Sequence, residues 1–228
     1  MSYTLNELLA ASGNYGGSRS ADQIKYIVIH YTGNDGDTAA SNAKYYHNNT
    51  VEASAHYFVD DTEVWRSVPD LTVAWSVGGK KYTSAAQTGG GTMYGVITNT
   101  NSISVELCDT VKDGAYWASE RTLANAVALC VELMAKYDIP LDNIYRHFDV
   151  TGKLCPAYYV DADAWAGFKK RVGKRAADNI PAPYAKEAIQ WVQDNGIMTG
   201  DASGDLMLSQ PMTRQQFAVM LWRYANAI

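Results

Sequence analysis

The chain has no apolar run of about 18 residues or more, so no stretch of it is built to cross a bilayer as a helix. Cysteine is scarce and odd in number, with three in 228 residues at positions 108, 130 and 155. An odd set of three excludes a disulfide framework and fits a reducing compartment in which at least one thiol serves another purpose. Basic residues are outnumbered: 19 Lys and Arg face 24 Asp and Glu, a net charge of −5. That balance offers no electrostatic attraction to nucleic acid or to an anionic membrane surface, so neither is expected as a partner. Residues 1–7 lack the basic start and apolar core of a signal peptide. The expectation is a protein made in a cytoplasm, a host's included, that reaches any extracellular target by another route.

What is present reads as a globular protein. Hydrophobic residues make up 47% and charged residues 19%, ordinary values for a packed domain. The length allows one full domain and a small second one.

The chemistry is densest in residues 145–156, Tyr-Arg-His-Phe-Asp-Val-Thr-Gly-Lys-Leu-Cys-Pro. His147 and Cys155 are eight residues apart, and imidazole and thiolate are ligand types that zinc prefers. Thr151 and Gly152 between them read as a loop, which lets the two side chains fold back onto one point. Lys153 precedes Cys155 by two positions. In an extended segment the two share a side, so the ammonium is expected at the same pocket. Two ligands do not complete a zinc site, and the rest of the chain has to supply more.

Residues 25–31 form a β-branched and aromatic strand ending at the turn signal Thr32-Gly33-Asn34. Alternation puts Tyr26, Val28 and His30 on one face, with His30 at the carboxyl end, where α/β sheets build their sites. Alone, His30 reads as a core histidine; with His147 and Cys155 elsewhere in the chain, a ligand becomes the better of the two readings. Residues 37–48 read as a helix capped by Asp37 or Thr38, with His47 on its flank. Residues 54–60 and 63–67 read as a hairpin, and His56 within it reads either as a structural residue or as a contact for substrate. Residues 69–101 read as a long binding loop. Trp65 and Trp75 stand at its start, either as core or as rings for stacking on a sugar.

Residues 102–108 form a strand with Ile103, Val105 and Leu107 on one face and Ser104, Glu106 and Cys108 on the other. If the second face is solvent, Glu106 is trivial. If it faces a zinc cleft, burial raises its pKa and suits it to general base work. Cys108 is a possible ligand or a small buried hydrophobe. Residues 119–137 carry the clearest helical stripe, which includes Cys130, and Asp161 caps a further helix. Residues 174–183, with two prolines, read as a linker. Two helices follow, one over 184–195 and one opened by a capping box from Thr213 to Gln216. A segment of that size needs to dock on the first domain or to self-associate into a homo-oligomer.

His30 at a strand end, Ser-Ile-Ser-Val-Glu at 102–106, and Arg-His followed by Gly-Lys-Leu-Cys-Pro together resemble the zinc-dependent N-acetylmuramoyl-L-alanine amidases over about residues 20–172. That family includes phage endolysins, bacterial autolysins and peptidoglycan-recognition proteins. The resemblance implies an α/β fold with a central mixed β-sheet flanked by helices. It also implies one zinc ion, and hydrolysis of the amide between muramic acid and the first alanine of the peptidoglycan stem peptide. Matched motif by motif, it puts the zinc ligands on His30, His147 and Cys155, the catalytic carboxylate on Glu106 and the oxyanion-side lysine on Lys153. His56 and Trp75 are the candidates for substrate contact. Some members carry a tyrosine just before the histidine matched by His56; here Ala55 stands there, which fits the branch that uses a carboxylate.

Residues 191–197 and 212–217 resemble one S-layer homology repeat, a type that binds cell-wall polysaccharide. The expected organisation is a catalytic domain over 1–173, a linker over 174–183 and a small helical C-terminal domain over 184–228. Two imidazoles and a thiolate leave a fourth zinc position for water. Two rival readings remain. One is a protein that binds peptidoglycan without cutting it. The other is a structural zinc domain closed by Cys108 or Asp149.

Overall fold

A computed structural model of the chain describes residues 3–82, 89–201, 206–208 and 210–227, with the side chain of Pro183 left out. Its strands are β1 (Thr4–Glu7), β2 (Tyr15–Ser18) and β3 (Tyr26–Tyr31), followed after helix α1 (Ala39–Asn48) by β4 (Tyr57–Val59), β5 (Glu63–Arg66) and β6 (Thr72–Ala74). Then come β7 (Ser102–Leu107), β8 (Thr110–Lys112), β9 (Ala115–Trp117), α2 (Glu120–Tyr137), β10 (Ile144–Arg146), α3 (His147–Thr151), α4 (Ala162–Asp178), α5 (Lys186–Asp194) and α6 (Arg214–Ala227).

Six strands make the central sheet in the order β1-β5-β4-β7-β3-β10. It is mixed: β4 and β5 run antiparallel, and the other neighbours run parallel. Strand alternation assigns the two faces. Ile27, Ile29, Ile103, Val105 and Leu107 join Leu123, Val127 and Cys130 of α2 and Trp165, Phe168 and Val172 of α4 in the main core. On the other face Phe58 packs with Ala39 and Ala43 of α1, and Val28 packs with Val150 of α3, Val77 and Ile97. Burying each Ile, Val or Leu contributes about 1.5–3 kcal/mol. The fully buried Ile27, Val28 and Ile29 therefore outweigh the cost of holding one polar ring, His30, at the end of the same strand.

Helix starts follow their caps. Thr38 caps α1 through Ser41, Ser119 caps α2 by accepting from Arg121 and Thr122, and Asp161 caps α4 by accepting from Ala164. The capping box at Thr213 forms with Gln216.

Four features differ from the sequence reading. Residues 1–23, a small and polar Gly-bearing stretch that reads as a surface lead-in without strands, supply β1, an edge strand beside β5, and β2, paired with β6. β1 is mostly exposed, so no apolar alternation betrays it. The long loop over 69–101 contains β6, and its residues 83–88 lie outside the described residues. The segment between β7 and α2 is the β8–β9 hairpin. The expected linker start at 174 is corrected, because α4 runs on to Asp178. Lys174, Arg175, Ala176 and Ala177 are good helix formers, and the prolines come only at 181 and 183.

Beyond α4, Leu208 N–H donates to the Asp178 carbonyl at 2.9 Å and Leu206 N–H to Asn179 Oδ1 at 2.9 Å. α5 and α6 bury none of their described side chains, and Phe217, Leu221, Trp222 and Tyr224 are exposed in the single chain.

Candidate metal centre

Parallel pairing brings three strand ends level. His30 on β3 is the register partner of Glu106 on β7, and Arg146 on β10 pairs with Ile29. The chain leaving β10 therefore delivers His147 beside His30. The expected loop after His147 is instead the short helix α3. Asp149 accepts from the Arg146 backbone N–H at 2.8 Å and takes the Arg146 guanidinium through both oxygens. Gly152, at φ 82°, ends the helix in the left-handed region that glycine enters without strain. The chain then folds back, and Phe148 N–H donates to the Cys155 carbonyl at 2.9 Å.

One donor atom from each of His30, His147 and Cys155 lies within 4.8 Å of the others. Cys155 Sγ is 3.9 Å from His30 Nδ1, and the two imidazole rings are 4.6 Å apart between centroids. All three residues are buried. His30 Nε2 and His147 Nδ1 are buried without a hydrogen-bond partner, and so is Glu106 Oε2. Native interiors rarely leave three such atoms orphaned in one place.

Burial works against charge on every donor of the site. Burial, then the positive fields of the other imidazole and Lys153, hold His30 well below the usual range. Burial and Lys153 bring His147 down to about 3. Burial, with Glu106 adding to it, pushes the Cys155 thiol up. The imidazoles are thus neutral, as ligands must be, and Lys153 draws the thiol down without offsetting its burial. Burial also pushes Glu106 up to about 8 against the opposing charge of Lys153. Its Oε1 lies 3.7 Å from His30 Nδ1. Lys153 is exposed, at the rim, and its charge is felt by all four of these groups.

The donor set suits zinc: two imidazoles and a thiolate, with no fourth His, Cys, Asp or Glu joining the cluster among the described residues. Asp149 is committed to Arg146. Cys108 is packed among Ala39, Ala43, Ala55 and Phe58, and Asn42 Nδ2 points at its sulfur at 3.6 Å. Neither closes the centre. Cys130 sits wholly inside the main core.

The substrate-contact expectation for His56 is corrected. Its side chain has no exposed surface. Nε2 lies 2.7 Å from Arg19 Nη2 and 3.1 Å from the Thr72 carbonyl, and Nδ1 lies 3.0 Å from Ser104 Oγ. Burial and the Arg19 charge lower its pKa to about 3. Buried Arg19 in turn donates to the carbonyls of Asp70, Asn99, Thr100 and Ser102. His56 thus belongs to a polar tie that meets β7 at Ser104, two residues before Glu106. Trp75 is half-buried, with its backbone paired to Ser54.

An aromatic group that sequence reasoning missed borders the centre. Tyr31, the residue after His30, meets Tyr116 and Tyr158 edge-on at 5.6 and 5.9 Å, and half-exposed Trp117 lies 6.1 Å from Tyr158. Finding it required the β8–β9 hairpin, for which residues 109–118 carry no strong strand pattern.

The family profile described as N-acetylmuramoyl-L-alanine amidase matches residues 20–158, and that of the S-layer homology domain matches residues 177–218. The N-acetylmuramoyl-L-alanine amidase CwlL of Bacillus licheniformis is 32% identical over 190 residues, 79% of this chain and 50% of that protein. The N-acetylmuramoyl-L-alanine amidase CwlA of Bacillus subtilis (strain 168) is 30% identical over 214 residues, 90% of this chain and 72% of that one. The solved catalytic domain of XlyA aligns with a TM-score of 0.58 at 27% identity, covering 75% of this chain and 99% of that chain. The chain spans about half the length of several relatives that it matches.

Proposed function

Because the chain belongs to the N-acetylmuramoyl-L-alanine amidase family, we propose that it hydrolyses the amide between N-acetylmuramic acid and the L-alanine of the peptidoglycan stem peptide, with one zinc ion held by His30, His147 and Cys155. The observation that carries this reading is the convergence of three neutral, buried donors, two with orphaned ring nitrogens, beside half-buried Glu106, whose Oε2 is itself buried without a partner. Zinc, when bound, supplies Lewis acidity and a water acidic enough to lose a proton near neutral pH.

The chain's own residues do the rest. Glu106 accepts the proton of the attacking water and returns it to the leaving amine. Its Oε2, free of any partner, is the atom available for that transfer. Lys153 faces the negative charge that develops on the scissile carbonyl oxygen, and its exposed position lets it swing over a bound substrate. The two neutral imidazoles and one thiolate would bring a single negative charge to a bound dication, leaving the centre net positive. Trp75 is proposed to line the path of the glycan.

The open donor set favours this reading over a structural zinc, for which a fourth protein ligand would be needed. The presence of a thiol donor in Cys155 and a proton acceptor in Glu106 favours cutting over recognition alone.

Purified peptidoglycan digested by the protein is expected to release new L-alanine amino termini while its glycan strands stay intact, and a zinc chelator should stop the release. A glycosidase would instead need two carboxylates flanking the bond, about 5–9.5 Å apart. New reducing ends appearing at the rate of lysis, without new amino termini, would sink the amidase reading.

Residues 177–218, matched as an S-layer homology domain, are proposed to hold the enzyme on cell-wall polysaccharide. Ending the chain after Asn179 is expected to leave a folded domain that cuts soluble muropeptides at near the full rate but clears whole walls more slowly. The motive is that the main core is closed by α2 and α4 without α5 or α6. An insoluble product would show that the C-terminal helices belong to the same folding unit.

A further inference from the structure

We infer that Asp109 is a positioning residue for the metal centre, holding the His30 and Cys155 segments in reach of one ion by tying together the three chain segments that leave the site. The inference rests on the zinc reading above. Three residues beyond Glu106 the chain reaches Asp109; three beyond His30 it reaches Gly33; three beyond Cys155 it reaches Tyr158. All three meet at one carboxylate. Asp109 Oδ2 accepts the Gly33 N–H at 2.8 Å and the Thr32 hydroxyl at 3.3 Å, and Oδ1 accepts the Tyr158 hydroxyl at 3.2 Å.

Asp109 is itself pinned. It is buried, its N–H donates to Asp37 Oδ1 at 3.0 Å, and its carbonyl accepts the Gly36 N–H at 2.9 Å. The remaining donor is tied through the backbone, because the residue after His147 donates to the Cys155 carbonyl at 2.9 Å. The carboxylate thus reaches all three donors in one or two steps while touching none of them. The side-chain type follows from the task. Two oxygens on one planar group accept from two segments at once. An alanine would leave the Gly33 N–H unpaired and would release the Cys155 segment. An asparagine can still accept from Gly33 N–H with its oxygen, while its amide donates to the Tyr158 oxygen, which accepts as readily as it donates.

The test is zinc affinity of the full chain, by competition with a chelator, together with the thiolate absorption of the cobalt-loaded protein. Wild type is compared with Asp109→Ala, Asp109→Asn and Tyr158→Phe. Outer-shell partners of metal ligands are typically worth about 10–100-fold in affinity. Asp109→Ala is expected to lose that much and to shift the cobalt spectrum, Asp109→Asn to stay within about threefold of wild type, and Tyr158→Phe to fall between.

A folded Asp109→Ala variant with wild-type affinity overturns the inference, since a merely structural role lowers the melting temperature of the metal-free protein and leaves affinity alone. If Asp109→Ala does not fold, Tyr158→Phe decides, and wild-type affinity with an unchanged cobalt spectrum overturns it. An asparagine variant as weak as alanine also overturns it, because charge rather than hydrogen-bonded ties would then be the cause. A wild-type protein that takes up neither zinc nor cobalt fails the zinc reading itself, before any variant is compared.

Discussion

Cys155→Ser is expected to lose stoichiometric zinc and, with it, nearly all hydrolysis of peptidoglycan. The sulfur is buried, 3.9 Å from His30 Nδ1, and is the one donor of the cluster able to bring negative charge to the ion. A serine hydroxyl in its place stays protonated, leaving two neutral imidazoles. Outer-shell changes alone cost about 10–100-fold in metal affinity, so removing a ligand should exceed the top of that range. The loss is readable without any substrate. Zinc that binds only the native state stabilises it by about 4.1 kcal/mol at a thousandfold excess over its dissociation constant. For a chain of this length about 1 kcal/mol shifts the melting temperature by ~2–4 °C. Wild type should therefore melt markedly higher with zinc than with chelator, and the variant should melt at one temperature in both. A serine variant that keeps one zinc per chain and clears walls at the wild-type rate would remove Cys155 from the ligand set.

Glu106→Gln should hold its zinc and its fold and still lose turnover by about 10²–10⁴, the usual worth of a positioned proton acceptor. The amide matches the carboxyl in shape but cannot take a proton from water. Glu106 lies in the β7 ladder between Val105 and Leu107, both wholly buried, so the backbone is fixed whichever side chain is present. Burial pushes the carboxyl up to about 8, Lys153 opposes the rise, and a cation in the centre would lower it further, towards the range a base needs. Zinc content and circular dichroism distinguish this outcome from the serine variant, in which the metal itself goes. A fall in turnover of less than about threefold would return Glu106 to an ordinary polar residue at a strand end.

The elements of the site that were legible are those written by local periodicity. Alternation along β3 sets His30 on the face opposite Ile27 and Ile29, and alternation along β7 sets Glu106 opposite Val105 and Leu107. Both faces follow from a repeat of two, which any one-residue slip would invert. The helices α2 and α4 were equally readable, since an apolar stripe and an N-cap are both local signals. The sequence leaves His56 open between a structural and a substrate-contact role, because a histidine in an apolar stretch looks the same whether its partner is a substrate or the guanidinium of Arg19, 37 residues away in the chain. The hairpin β8–β9 and the aromatic group around Tyr158 were invisible for a related reason. Their stabilisation comes from rings on three separate segments, each unremarkable alone.

The amino-acid sequence by itself determined the residue types of the centre, the faces on which His30 and Glu106 stand, and the helices that close the main core, because spacing and capping act within a few residues. Tertiary structure alone decided that β3, β7 and β10 end at one level, that α3 turns His147 back toward Cys155, that His56 is sealed from solvent, and that Asp109 gathers three departing segments. Those outcomes depend on the parallel register between strands dozens of residues apart. Register is set by the summed burial of whole faces rather than by any short stretch of chain.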